Sequence, residues 1–134
     1  MTVQRSVAVR NAGLDSAEVT IGVSARFNIF AGAPPANCAA ADSGSLLSTI
    51  VLPSDWMSNA AAGVKALLGT WAGTGAASGV AGHYRIKDST NTTTHEQGTI
   101  TATGGGGDAT MDNTNIAVSQ ALTVNTFAWT AGNP

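Results

Sequence analysis

The spacing of hydrophobic positions changes near residue 22. From Val3 to Ile21 the apolar side chains Val3, Val7, Leu14 and Ile21 are separated by fours and sevens, with Ala17 on the same side. Arg5, Arg10, Asp15 and Glu18 fall mostly elsewhere. This spacing predicts a short amphipathic helix lying on the rest of the domain or on another subunit. Gly13 weakens such a helix by about 1 kcal/mol relative to Ala, and Gly22 is placed to end it.

Beyond Gly22 the period shortens to that of strands. Ala25 to Ile29 alternates, so Phe27 and Ile29 share one face. Leu46 to Leu52 is a near-continuous apolar run stopped by Pro53, and Lys65 to Trp71 is a second. His83 to Lys87 alternates, which turns Tyr84 and Ile86 inward and the basic groups outward. Glu96 to Thr103 then completes a hairpin across the polar turn Asp88 to Thr93. Met111 to Val118 and Ala121 to Trp129 close the chain.

The intervening segments read as loops. They are the long Pro34–Pro35 stretch from Ala31 to Ser45, a turn at Ser54 to Asn59 anchored by Trp56, a small-residue linker from Gly73 to Gly82, and the glycine run Gly104 to Gly107. About six to eight short strands with regular turn signals indicate a mainly β fold, an antiparallel β-sandwich or jelly-roll-like domain with a short N-terminal helix. Residues 1–22 form the helical segment and 23–134 the sandwich domain. The expected core is Phe27, Ile29, Ile50, Leu52, Trp71, Tyr84, Ile86, Ile100, Leu122, Val124 and Phe127.

Composition narrows the functional classes. Only 10% of the residues are charged and the net charge is −2, against about 25% charged in an average soluble domain. Six Lys and Arg scattered between Arg5 and Lys87 supply no basic patch for phosphates, so no direct nucleic-acid contact is expected. Gly, Ala, Ser and Thr make up about half the chain, far above average usage. A surface of this kind has a low desolvation cost when packed against a neighbour, and homo-oligomerisation is expected. No apolar run reaches the length of a membrane span. The N-terminus lacks the apolar core of a signal peptide, so synthesis and assembly in the cytoplasm of the producing cell are expected.

The search for chemistry returns little. His83 and His95 flank the hairpin turn and read as an exposed strand pair without a metal, since no Cys/His or H-x-x-H cluster accompanies them. Nothing resembles a nucleophile elbow. Asp108 follows the glycine run where a phosphate loop requires Lys; with Asp112 it supplies two acidic oxygen ligands toward a calcium site, the lesser reading beside that of a hinge or tight chain crossing. Cys38 has no partner for an internal disulfide and reads as a small apolar residue in an Ala-rich loop. No catalytic, cofactor-binding or metal-binding residue is therefore assigned, no cofactor is expected, and the protein reads as a non-enzyme.

Several phrases carry a resemblance. They are Arg10 to Asp15 leading to Glu18 and Ile21–Gly22, Pro34 to Ala40, Leu52 to Met57, Gly79 to Arg85, His95 to Thr99, the stretch Thr101 to Leu122, and Thr130 to Asn133. Together they resemble a family of small virion structural proteins of tailed bacteriophages and prophages of proteobacteria. The resemblance spans nearly the whole chain and carries no catalytic residues. It implies a virion component whose partners are other virion proteins, either the major capsid protein or tail proteins. A small, weakly charged β domain suits a capsid decoration or cement protein that stabilises the shell through subunit contacts. The alternative is a tail or tail-fibre component, and a carbohydrate-binding or carbohydrate-active module comes third. The helix and the loop around Ala31 to Ala41 are the segments expected to make the assembly contacts.

Overall fold

Strand formation follows the β-branched and aromatic runs, and the computed structural model describes residues 3–132. One helix, α1 (Val7–Ile21), precedes nine strands. They are β1 (Arg26–Ala31), β2 (Leu46–Val51), β3 (Val64–Ala66), β4 (Trp71–Thr74), β5 (Gly79–Lys87), β6 (Thr94–Ala102), β7 (Ala109–Met111), β8 (Asn115–Ile116) and β9 (Ala121–Thr130). The protein is mainly β with an N-terminal helix, as the pattern predicts. Met1 and Thr2 of the expected helical segment, and Asn133 and Pro134 at the other end, lie outside the described residues.

The strands form one curled, mixed sheet in the order β2-β1-β5-β6-β7-β9-β3, with β4 also on β9 and β8 on β5. Every pairing is antiparallel except β6 with β7, which is parallel and departs from the all-antiparallel expectation. The glycine run explains it. Gly104 and Gly106 have φ of +87° and +81°, and the short excursion they allow brings β7 back alongside β6 in the same direction rather than as a hairpin. The sheet curls until its distant parts meet. Ser48 Oγ on β2 donates to Thr74 O on β4 at 2.7 Å, and Ala76 N–H donates to Leu47 O at 2.7 Å.

The concave side holds the core. Each expected core residue is buried, and Leu47, Trp56, Met57 and Met111 join them. Phe27 stacks on Tyr84 with ring centroids 4.8 Å apart, and Phe127 meets Tyr84 edge-on at 5.5 Å. Trp56, Trp71 and Trp129 extend this cluster toward α1, and buried Trp side chains carry polar N–H groups that need acceptors. Trp56 Nε1–H donates to Gly22 O, and Trp71 Nε1–H to Trp56 O. Two apolar runs are shorter than their sequence suggests. Lys65 to Trp71 is split between β3 and β4, with Gly69 at φ +74° between them, and Met111 to Val118 between β7 and β8.

Candidate functional site

The helix starts at Ser6, whose Oγ accepts from Val9 N–H, and ends at Gly22, whose φ of +97° turns the chain while its N–H donates to Glu18 O. Its inner face is the one the apolar spacing selects, but it carries polar side chains as well. Leu14, Ala17 and Ile21 do face the body, but Val3 and Val7 are exposed. Polar side chains make most of the docking contacts. Arg10 Nη1 donates to Ala131 O, Asn11 Oδ1 accepts from Gly63 N–H, Asp15 Oδ1 from Ala60 N–H, and Glu18 Oε1 from Met57 N–H.

The reason lies in the segment beneath the helix. In residues 57–63, Ser58 and Ala61 N–H donate to Ala66 O and Val64 O, while the N–H groups of Met57, Ala60 and Gly63 find their acceptors on the helix. Lys65 on β3 is only 2% exposed, and its ammonium needs counter-charge. It lies 2.8 Å from Asp15 Oδ1 and 2.7 Å from Glu18 Oε2, and it also donates to Ser58 O. Burial works against the charged amine, but its bonds to Asp15 and Glu18 outweigh that and raise its pKa. The bond from Lys65, aided by Ala60 N–H, lowers that of Asp15.

The outward face of α1 is consequently uncharged. Its exposed residues are Val7, Ala8, Val9, Ala12, Gly13, Ser16, Val19 and Thr20. Ser16 Oγ donates to Gly13 O and Thr20 Oγ1 to Ser16 O, so the two hydroxyls are turned onto the helix's own carbonyls. A solvent-facing helix of a globular protein normally has the opposite polarity. The apolar surface continues past the helix end. Val19 is 81% exposed and Val23 67%, and together with Ser54, Asp55 and Trp56 they border a groove of about 390 Å³.

The long loop behaves differently from its expected role. Residues 32–45 fold as a strap over the convex side of β1 and β5, where the alternation of β5 places His83 and Arg85. These residues were expected to point into solvent, yet they are 0% and 1% exposed. Arg85 gathers the strap with its forked guanidinium. Nη1 binds Asp42 Oδ1 at 2.6 Å, and Nη2 donates to the carbonyls of Asn37 and Cys38. Lys87 binds the other oxygen of Asp42 at 2.7 Å. Burial would raise the Asp42 pKa, but the bonds from Lys87 and Arg85 override it and hold the carboxyl below its usual range. His83 stacks on Phe30 at 5.1 Å, and its Nδ1 meets Gly32 O at 2.8 Å.

Other candidate residues are dispersed. His83 pairs with Thr99 across the hairpin, whereas His95 is exposed beside α1, so the two do not form a pair. Asp108 accepts from Thr99 N–H and Oγ1, and Asp112 from Asn125. Both carboxylates thus hold loops to strands. Cys38 is a partly buried free thiol in the strap. Among the described residues no group of three His, Cys, Asp or Glu is placed to hold a metal ion, and no helix is long and apolar enough to cross a membrane.

Sequence reasoning missed Glu96. Its two oxygens accept from Tyr84 OH at 2.8 Å and Trp129 Nε1–H at 2.7 Å. Burial raises its pKa, against those two hydrogen bonds, and Asp108 adds to the rise. Burial, with Glu96 next, also raises the pKa of the Tyr84 phenol. The sequence signal was a lone acidic residue within an alternating strand.

No protein-family model, no curated protein and no solved structure matches the chain.

Proposed function

We propose that the chain is a structural component of a bacteriophage virion, a capsid decoration or cement protein that stabilises the shell by packing against neighbouring subunits. The observation that carries this reading is the inverted polarity of α1. The helix spends its charged side chains on its own domain and turns an uncharged face of Val, Ala and back-bonded hydroxyls outward. Burying that face against another subunit removes apolar area from water without stripping a charge, and burial of this kind contributes roughly 25 cal/mol per Å². The resemblance of phrases such as Leu52 to Met57 and Gly79 to Arg85 to tailed-phage virion proteins supplies the setting. The role is one of binding rather than turnover, with other virion proteins and copies of this chain as partners and the virion as its location.

A cement subunit acts by linkage. Whatever binds only the assembled shell stabilises it by mass action, and many symmetric copies multiply a modest energy per site. The test is electron microscopy of purified particles, together with heating of particles that carry or lack the protein. The expected result is density on the shell with α1 against a neighbour, and earlier DNA release from particles that lack it. Particles that keep their DNA equally well but adsorb poorly to cells would replace this reading with the tail or tail-fibre one. Absence from the particle would end both.

A further inference from the structure

We propose that the groove at the end of α1 takes a lysine or arginine side chain, flanked by apolar residues, from a protein other than this chain. This deepens the reading of α1 as a contact face and rests on it. The groove holds about 390 Å³, within the range of roughly 300–1,000 Å³ typical of ligand sites. Val19, Val23 and Trp56 supply its apolar lining, and Glu18 and Asp55 its charges. The Trp56 indole is held by its Nε1–H bond to Gly22 O and by ring contacts with Trp71 and Trp129. The groove is therefore preformed, which lowers the cost of binding.

Charge complementarity names the occupant. Both charged groups of the lining are carboxylates. Glu18 is balanced by Lys65, whereas Asp55 is exposed and has no ion pair among the described residues. The helix adds to the negative field. Its C-terminal end, at Gly22, carries roughly half a unit of negative charge, and no basic residue in its last turn offsets it. Lysine and arginine suit both halves of such a site, since the aliphatic stem covers apolar surface while the head meets the charge. An acidic segment would be repelled, and a wholly apolar one would strip water from Asp55 without replacing it. Five of the six basic residues of the chain are engaged within it. Arg10 and Arg26 bind backbone carbonyls, and Lys65, Arg85 and Lys87 bind carboxylates. That favours a different protein over a second copy as the source of the cation.

The test is an NMR titration of the full chain with a capped pentapeptide that has one lysine between two valines and a serine at each end. Matched peptides carry norleucine or glutamate in place of the lysine. Shifts should be confined to Val19, Val23, Asp55 and the Trp56 indole N–H. The lysine peptide should bind about fivefold more tightly than the norleucine one, and the glutamate peptide should not bind. Asp55→Asn should abolish the preference for lysine. Equal affinity for the lysine and norleucine peptides would overturn the proposal, as would the absence of groove shifts at millimolar peptide. Dimers of the protein alone that D55N abolishes would make a second copy the occupant and overturn it too. Particles separate this groove from the wider reading. Full retention of D55N where V19K is lost would sink the groove and leave α1 as the contact face. Absence of the protein from particles would end the virion reading, while the titration judges the groove apart from it.

Discussion

The Lys65 ammonium on β3 sits 2.8 Å from the Asp15 carboxylate on α1, fifty positions earlier in the chain. This contact ties the helix to the sheet by charge, beside the apolar contacts of Leu14, Ala17 and Ile21. Lys65 is almost fully buried, so its desolvation is offset only while the helix is docked. The helix Val7–Ile21 is therefore integral to the domain instead of a detachable arm. Removing it should destabilise the β portion, and denaturant melts of a chain starting at residue 23 should show a lower midpoint than the whole protein.

Point changes at this junction should be unequal. Glu18→Ala removes one counter-charge of Lys65 and the acceptor of Met57 N–H. Its cost should be about 2–3 kcal/mol, below the range for a fully buried pair because Asp15 remains. Lys65→Met fills the same space without a charge and should cost less than removing both Asp15 and Glu18. Urea denaturation of the variants checks the order, and equal costs would mean that the charges do not govern docking.

Arg85→Lys should loosen the strap although the charge is kept. Lysine cannot reproduce the fork that reaches Asp42, Asn37 and Cys38 together. Limited proteolysis should cut within residues 32–45 faster in R85K than in the parent chain, while the core signal in near-ultraviolet circular dichroism persists. Gly82→Ala should be worse, since a Cβ there would collide with the backbone of Gly32.

Stability should depend on pH in two opposed ways. Asp15, Asp42 and Asp88 have lowered pKa values in the folded protein. Their contribution is present above the ordinary carboxylate value near 3.8 and is lost as pH falls through the folded values. Glu96 is raised, so its contribution is present below its ordinary value near 4.5 and is lost as pH rises through the folded value. Glu96→Gln can still accept from Trp129 and can donate to the Tyr84 oxygen. It should remove the second loss and flatten the profile on the alkaline side of pH 4.5. Thermal melts across that range measure it, and an unchanged slope would show that Glu96 does not titrate there.

Val19→Lys separates folding from assembly. Val19 is 81% exposed, and a surface change of this sort should alter monomer stability by no more than about 0.5 kcal/mol. The same change places a charge at the centre of the uncharged helix face. Retention on particles should fall sharply, as read by co-sedimentation. Wild-type retention of V19K would remove α1 from the contact surface.

What the sequence determined by itself was the set of elements and their core. The change from helical to alternating spacing near Gly22 marks the boundary correctly, and Phe27, Tyr84, Ile86 and Phe127 are inward because period-two alternation fixes sides locally. Alternation states only that His83 and Arg85 lie opposite Tyr84 and Ile86. It does not state what covers that opposite face. The strap that buries them is brought there by the register of β1 against β5 and by contacts more than forty residues apart. The tertiary structure decided what the inward side of α1 meets: the N–H groups of Met57, Ala60 and Gly63 and the buried Lys65 draw the polar side chains Asn11, Asp15 and Glu18 onto the domain beside Leu14, Ala17 and Ile21. It also decided the parallel pairing of β7, since strand direction depends on where the chain returns after Gly104 to Gly107 rather than on the side chains of the strand.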